Sequence, residues 1–230
     1  MNESEPVLSV RNLSKTYMQG KIPVHALTDV SFDVKKGEFI SIVGPSGSGK
    51  STLLSMMGLL DKPTSGSVFI DGMEVTKVKE GDAPKIRREK IGFVFQRFNL
   101  IPTLTALENV DIAMRFARVS KHIRKERAIE LLAQMGLGGR MKHKPSELSG
   151  GEQQRVAIAR AMANHPAIIL ADEPTGEVDT KTRDMIVALL KELCEKGQTI
   201  LVVTHDMDVA EKTLRRITMR DGRIASDTQQ

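Results

Sequence analysis

The chain has 230 residues, of which 40% are apolar, with a single cysteine and a formal net charge of +5. This length and apolar content allow one full hydrophobic core, and one cysteine excludes a disulfide framework or a cysteine metal site within the chain. Because the basic residues are scattered among acidic ones, the charge gives no reason to expect a nucleic-acid partner.

The amino terminus, MNESEPVLSV, is acidic and lacks the basic and apolar regions of a signal peptide. No window of the sequence approaches the roughly eighteen uninterrupted apolar residues of a membrane-spanning helix. We therefore expect a cytoplasmic protein that does not cross a membrane by itself.

In chain order, apolar runs predict strands, and their lack of alternation indicates a sheet covered on both faces. The runs are VLSV, FISIVG, IGFVFQ, AIILAD and TILVVTH, and helical patterns lie around 50–59, 124–135, 151–163 and 181–196. Cys194 sits at apolar spacing in the last of these, which predicts a packing role. The turn-rich first 75 or so residues predict antiparallel strands at the sheet edge.

From about residue 97 to residue 147 the pattern is helical and charged, without an intervening apolar strand, which predicts an inserted helical subdomain. The core, with its β subdomain, would then comprise about 1–96 and 148–230. No internal repeat is present, so the chain is expected to be a single domain.

The segment GPSGSGKS, residues 44–51, matches the phosphate-loop pattern in full between an apolar strand and a helical pattern. Its glycines let backbone N–H groups point at a phosphate, Lys50 would neutralise β- and γ-phosphate oxygens, and Ser51 would ligate Mg²⁺. These features predict an α/β protein with a P-loop NTPase core. The predicted nucleotide-binding residues of this segment are Gly44, Pro45, Ser46, Gly47, Ser48, Gly49, Lys50, Ser51 and Thr52.

Two acidic residues end the apolar run AIILAD at the edge where ligands of parallel sheets collect. Asp172 would hold Mg²⁺ through water, and Glu173 would polarise an attacking water. Such a pair could also cap the next segment, but the phosphate loop favours the catalytic interpretation.

A second glycine turn, Ser149-Gly150-Gly151, opens a helical pattern and has no lysine after it. A helix start of this kind exposes N–H groups to an anion. Since the chain already contains a phosphate loop, the turn raises the question of which phosphate it would hold.

The motifs GPSGSGKS, LSGGEQ and ILADEP, in this order, resemble those of the nucleotide-binding subunit of ATP-binding-cassette (ABC) transporters, and the similarity covers essentially the whole chain. The resemblance implies an ATPase that binds ATP and Mg²⁺. It also implies that the glycine turn, with Glu152, grips the γ-phosphate of ATP held by a second copy. Two chains would then close head-to-tail around two ATP molecules.

The resemblance implies roles for three more side chains. Tyr17 would stack on adenine, Gln96 would reach Mg²⁺ and the attacking water, and His205 would contact the γ-phosphate. The alternatives are that Tyr17 is a half-buried strand residue and that His205 is a satisfied structural histidine.

In the family, a loop matched here by PTGEVD exchanges contacts between the two subunits, with Asp179 in the expected place. Glu177 and Val178 depart from the residues that are more common there. The stretch RFNLIPTLTALENV lies where the family receives a coupling helix from the membrane permease. Its apolar residues Phe98, Leu100, Ile101 and Leu104 would mark that interface, or pack within the helical lobe.

The chain most resembles the subgroup that powers lipoprotein release and macrolide-type export, which implies a cassette held on the inner face of the membrane by its permease. A soluble ABC protein of DNA repair or translation and an unrelated phosphate-loop kinase are the alternatives. The motif LSGGEQ begins 104 residues after the start of the phosphate loop, which leaves no room for a long coiled-coil insertion, and the sequence has no second cassette and no zinc-type cysteine cluster. These absences count against the repair and translation branches. A kinase would have no use for LSGGEQ or His205.

Overall fold

The computed structural model describes residues 5–229 of the chain. The strands in this range are β1 Leu8–Gln19, β2 Ile22–Val34, β3 Phe39–Val43, β4 Ser65–Ile70, β5 Met73–Glu74, β6 Ile91–Val94, β7 Ile168–Asp172, β8 Thr199–Val203, β9 Arg215–Arg220 and β10 Arg223–Gln229. The α-helices are α1 Lys50–Met57, α2 Ala83–Lys90, α3 Ala106–Phe116, α4 Lys121–Gln134, α5 Gly150–Met162, α6 Thr180–Glu195 and α7 Met207–Ala210, and two short 3-10 helices span Gly138–Arg140 and Pro145–Glu147.

The central sheet has six strands in the order β10-β9-β3-β8-β7-β6. Strands β9, β3, β8, β7 and β6 are parallel to one another, and β10 pairs antiparallel with β9. This mixed α/β architecture with a mainly parallel sheet confirms the predicted fold class.

Apolar side chains of β7 and β8 alternate between two separate cores, as the pleat of a strand requires. In β8, Ile200 and Val202 face a core formed with α3, α4, α5 and α6. Leu201 and Val203 face the other core, which contains α1 and the antiparallel sheet. Burial on both faces explains why these strands are apolar throughout.

The antiparallel strands predicted at the amino terminus form a second sheet, in the order β2-β1-β4-β5. Leu8, Val10 and Leu13 of β1 pack with α1 and with the parallel sheet. The long β1 strand has several register shifts against β2, and its last residues continue into a hairpin whose outer side chains are exposed.

Helices α3 and α4 lie within residues 97–147, where the sequence predicts helical structure. Helix α3 begins with a capping box in which Thr105 and Glu108 satisfy each other's backbone N–H groups. The fully buried Asn109 then fixes the preceding loop, because its amide donates to the carbonyl oxygens of Ile101, Leu104 and Thr105.

The strands β9 and β10 are absent from the sequence prediction. Their sequences, RRITMR and RIASDTQ, are mostly polar, and only Ile217 and Met219 of β9 are buried in the core. An edge pair with one solvated face carries too weak an apolar signal to be recognised. Cys194 is buried, as expected, and its thiol donates to Gly37 O at 3.1 Å. No helix in residues 5–229 is both long and apolar enough to cross a membrane.

Candidate functional site

The phosphate loop, residues 44–51, joins β3 to α1 and depends on two glycines for its path. Gly44 and Gly49 have φ angles of 151° and 98°, a region that side chains disfavour. A Cβ at Gly44 would lie 2.3 Å from Met219 O, and one at Gly49 would lie 2.5 Å from Ala26 O. The loop therefore follows this path only because neither residue has a side chain.

Lys50 is held over the phosphate loop by the loop's own backbone. Its Nζ donates to Gly44 O at 2.7 Å and to Pro45 O at 2.9 Å, and the residue is only 9% exposed. A lysine ammonium has three N–H donors. The ammonium is thus fixed in place, with a further donor available for a phosphate oxygen.

A cleft of about 440 Å³ lies over this loop. Ser46, Gly47, Gly49, Lys50, Ser51 and Thr52 line it together with Glu173, Val203 and His205 from the ends of β7 and β8. The remaining lining residues, Val24, His25 and Ala26 of β2, were missed by sequence reasoning. No motif marks them, since only the packing of the antiparallel sheet brings them to the loop.

The register of the parallel strands aligns the catalytic candidates. Val203 of β8 pairs with Ile42 on one side and with Asp172 on the other. Burial and the negative charge of Glu173 raise the pKa of Asp172, and the positive charge of Lys50 opposes this rise.

Glu173 has a backbone φ of 46°, unusual for a residue with a side chain. Its carboxylate accepts three hydrogen bonds: from Thr204 Oγ1 at 3.0 Å, from His205 N at 3.0 Å and from His205 Nδ1 at 2.7 Å. The predicted base and the predicted histidine are therefore in direct contact in this state.

Tyr17 is 40% exposed and does not line the cleft. Its hydroxyl donates to Asp61 at 2.9 Å and lies near the side chain of Thr52, which does line the cleft. The hydroxyl is thus beside the start of the phosphate-loop helix, and Tyr17 itself is an exposed residue of β1, so its stacking on adenine stays a prediction.

The glycine turn, Ser149–Gly151, starts α5 with a complete capping box. Ser149 Oγ accepts from Glu152 N at 3.2 Å, and Glu152 Oε2 accepts from Ser149 N at 2.8 Å. This backbone hydrogen bond is the main cause of a lowered pKa for Glu152, to which the nearby charge of Arg140 also contributes. Glu152 therefore has a structural role at the helix start.

The two glycines of the turn pack against the loop that precedes α6, residues 174–179, and against α6 itself. A Cβ at Gly150 would lie 3.4 Å from Glu177 O, and one at Gly151 would lie 2.3 Å from Thr182 Cγ2. Asp179 caps α6 by accepting from Thr182 N at 3.0 Å and Thr182 Oγ1 at 2.7 Å. No residue of the glycine turn lines the phosphate-loop cleft.

Gln96 also contacts the loop 174–179. Its Nε2 lies 3.5 Å from Glu177 Oε1, and a Cβ at Gly176 would be 2.9 Å from the same nitrogen. It is exposed and does not line the cleft. The structure therefore brings the predicted residues together as two groups, one around the phosphate loop and one around the loop 174–179.

The same arrangement of motifs is found in known proteins. The family model described as "ABC transporter" matches residues 27–176. The chain belongs to the ABC transporter family. As a member of this family it is an ATP-binding cassette that hydrolyses ATP.

Related cassettes extend over nearly the whole chain. An uncharacterized ABC transporter ATP-binding protein of Methanocaldococcus jannaschii, MJ0796, is 52% identical over 223 residues, 95% of each chain. YvrO of Bacillus subtilis, also an uncharacterized ABC transporter ATP-binding protein, is 50% identical over 221 residues, 96% of each. The macrolide export ATP-binding/permease protein MacB of Vibrio parahaemolyticus is 47% identical over 225 residues, but the match spans 98% of this chain and only 34% of MacB.

A solved structure gives the same fold. It is a dimeric post-hydrolysis state of MJ0796 bound to ADP and Pi, with a TM-score of 0.88 and 50% identity, over 96% of this cassette and 98% of that chain. The fold of this chain is accordingly that of an ATP-binding cassette of this family.

The cassette has a second cavity, an open groove of about 550 Å³ between α2, β6, α3 and α5. Its apolar wall includes the stacked rings of Phe93 and Phe95, 5.4 Å apart, and Phe116, which is 66% exposed. Arg87, Arg88 and Arg160 also line it. We refer to it as the aromatic groove.

The four apolar residues predicted to form a permease interface differ in their burial. Leu100 packs against the core, and Phe98 and Leu104 are half-buried. Ile101 is 39% exposed. Arg160 holds the segment in place by donating to the carbonyl oxygens of Phe98 and Asn99.

Gly151 gives a test of the packing between α5 and α6. We expect Gly151→Ala to lower the free energy of unfolding by about 1–3 kcal/mol, because its methyl group would collide with Thr182 Cγ2. Thr182→Ser, which removes this methyl group and keeps the hydroxyl that donates to Asp179, should restore most of the loss. Denaturant unfolding of both single variants and the double variant measures this.

Gly139→Ala is the control, since a Cβ there meets no atom within 4 Å. A Gly151→Ala protein as stable as the parent, or a double variant no more stable than Gly151→Ala, would contradict the packing role.

Proposed function

We propose that two copies of this cassette close head-to-tail, so that each ATP lies between the phosphate loop of one chain and the glycine turn of the other. The observation that carries the proposal is the separation of the two motifs. The phosphate-loop cleft is lined by residues from β2, the loop and the ends of β7 and β8, and by none of Ser149–Gly151. An exposed Ser149 at a helix start provides anion affinity that its own cleft does not use.

In this proposal Mg²⁺ is held by oxygen donors, which that ion prefers. The Ser51 hydroxyl is exposed at the start of α1, and the Asp172 carboxylate stands at the end of β7 near Lys50. The residues fit the ion, whose chemistry would be to neutralise charge on the phosphates. Gln96 supplies a third oxygen.

Gln96 must change its contacts to act there. Its amide now faces Gly176 and Glu177 in the loop 174–179, which also packs on the glycine turn. We infer that nucleotide binding draws Gln96 away from this loop. The loop and the glycine turn would then respond together, which is the basis we propose for communication between the subunits, with Asp179 fixing the start of α6.

For hydrolysis, Glu173 acts on the attacking water as general base, and His205 contacts the γ-phosphate. The carboxylate is pre-oriented by Thr204 Oγ1 and His205 N. His205 Nδ1 bonds the same carboxylate, and the histidine side chain is 73% exposed. It can therefore turn to a phosphate without disturbing the core, while the backbone N–H keeps Glu173 in place.

We further propose that the dimer drives a separate membrane permease of the macrolide-export or lipoprotein-release type, and so works at the inner face of the membrane. The similarity to the cassette part of MacB supports the class. The aromatic groove supplies the docking place, because an exposed apolar surface of this kind is typical of an interface. Its position beside the segment after Gln96 would link permease movement to the nucleotide site.

Replacement of the proposed base tests the hydrolytic step. We expect Glu173→Gln to keep ATP binding and to reduce turnover by about 10²- to 10⁴-fold, because the water loses its proton acceptor while Lys50 and Asp172 remain. Dimers should accumulate with ATP, which gel filtration detects. Glu195→Gln, an exposed position on α6, is the control. Turnover at the parental rate would remove Glu173 from the mechanism.

Mixing two inactive chains tests the shared site. One carries Lys50→Ala. The other carries Ser149→Asp, which retains a side chain that caps helices well but places a negative charge before the γ-phosphate. Each alone should fail to dimerise with ATP. Their mixed dimer would contain one site with both lesions and one with neither, so we expect ATP-dependent mixed dimers, measured by crosslinking differently tagged chains.

Ser120→Asp, which adds the same charge at the exposed start of α4, is the control and should dimerise normally. If the glycine turn served the ATP of its own chain, both sites of the mixed dimer would be damaged. Mixed dimers no more abundant than those of either parent would therefore contradict the head-to-tail proposal.

The docking proposal is tested with Phe116→Asp, which places a charge on the exposed wall of the aromatic groove. We expect the variant to bind ATP normally but to lose the integral membrane protein that co-purifies from detergent-solubilised native membranes. Met18→Asp, with the side chain 64% exposed on the β1–β2 hairpin, is the matched control. Equal recovery of the permease with both variants, identified by mass spectrometry, would place the docking surface elsewhere.

A further inference from the structure

Tyr17 has an ammonium group on one face of its ring. Lys15 Nζ lies 4.8 Å from the ring centroid, within the range of a cation–π contact. The same nitrogen is 2.9 Å from Asp61 Oδ2 and donates to Lys62 O at 2.5 Å. The Lys15 side chain is only 12% exposed, so the position of its ammonium group is well defined.

Asp61 connects this cluster to the phosphate loop through α1. It follows the end of that helix, and its Oδ2 accepts from the Tyr17 hydroxyl at 2.9 Å while Oδ1 accepts from Lys62 N at 2.7 Å. The phosphate loop lies at the other end of the same helix. The position of the tyrosine hydroxyl is therefore set by the element that also carries Lys50 and Ser51.

The hairpin itself does little to fix the ring. Tyr17 pairs with Val24 across the strands, and Val24, Met18 and Ile22 are 43%, 64% and 68% exposed. Without the Lys15–Asp61 pair, the Tyr17 side chain would be free to adopt several rotamers. Fixing it before the ligand arrives avoids an ordering penalty on binding.

We propose that Lys15 and Asp61 are positioning residues for the purine base: Lys15 covers one face of the Tyr17 ring and Asp61 holds its hydroxyl, so that only the opposite face is presented to adenine. The inference rests on the proposed role of Tyr17 at the nucleotide site and adds two residues to it. Neither residue lines the phosphate-loop cleft. Their effect should therefore depend on the base and not on the triphosphate.

Calorimetry with two probes tests this directly. Mg-ATP engages both the phosphate loop and Tyr17, whereas inorganic tripolyphosphate with Mg²⁺ engages the loop alone. We expect Asp61→Asn and Lys15→Met to weaken ATP binding about 2- to 10-fold, the range of one aromatic stacking contact, and to leave tripolyphosphate binding unchanged. Asp71→Asn is the matched control, since Asp71 pairs with Lys90 at 2.7 Å and has nearly the same side-chain exposure as Asp61.

Tyr17 also provides a spectroscopic readout, because it is the only tyrosine and the chain has no tryptophan. Burial and the contact with Asp61 raise the pKa of Tyr17 above its ordinary value of 10.0. We expect tyrosinate absorbance to show a lower pKa in Asp61→Asn, because the carboxylate charge that opposes ionisation is gone. In a Tyr17→Phe background, Asp61→Asn should cause no further loss of ATP affinity, since the hydrogen bond it breaks is already absent.

Three results would overturn this inference and leave the role of Tyr17 unaffected. Equal weakening of ATP and tripolyphosphate would show that the pair supports the phosphate-loop helix and not the base. Tighter ATP binding by Lys15→Met would show that the ammonium competes for the stacking face. Unchanged affinities for both probes in both variants would show that the pair has no role. A parent protein that binds tripolyphosphate but shows no change of tyrosine fluorescence with ATP would overturn the role of Tyr17, and this inference with it.

Discussion

The parallel register of β3, β8 and β7 is the constraint on which the catalytic half of the site depends. Val203 is the neighbour of both Ile42 and Asp172, so three chain segments leave the sheet at one level. Strand β3 continues into the phosphate loop, β8 continues to Thr204 and His205, and β7 continues to Glu173. Because both faces of these strands are buried in separate cores, none of the three can shift without exposing apolar side chains. The chemistry is thereby tied to the packing of the whole domain.

The other half of the site is built by helix starts rather than by strand ends. Ser149 caps α5 and Asp179 caps α6, and the two helices meet where Gly151 contacts Thr182. Because Gly151 has no side chain, α5 can pack against Thr182 of α6 within the chain. Ser149 is exposed, and it is the residue of the turn that we propose to contact the partner chain. Gln96 contacts the loop 174–179, which joins the end of β7 to α6. In the proposed function, a change at the nucleotide would reach the glycine turn through these contacts.

The aromatic groove and the Tyr17 cluster are two further surfaces, and different segments of the chain connect them to the nucleotide site. The groove shares the segment after β6 with Gln96, so a partner seated there would act on the catalytic residues through the backbone around Phe95 and Asn99. The Tyr17 cluster acts through α1, whose other end carries the phosphate loop. In both proposals, one segment of the chain would connect a recognition surface to the phosphates.

The sequence by itself determined the parallel sheet, the phosphate loop, the acidic pair at the end of β7 and the helix start at the glycine turn, because these depend on local patterns of continuous apolar runs and glycine spacing. Only the tertiary structure decided which residues meet. It placed Val24, His25 and Ala26 over the phosphate loop, joined Glu173 to His205, and set Lys15 and Asp61 around Tyr17. It also paired the polar strands β9 and β10, and it packed Leu100 inward while leaving Phe116 exposed. These contacts join residues far apart in the chain. Their geometry follows from sheet register and helix packing, which no single segment of sequence specifies.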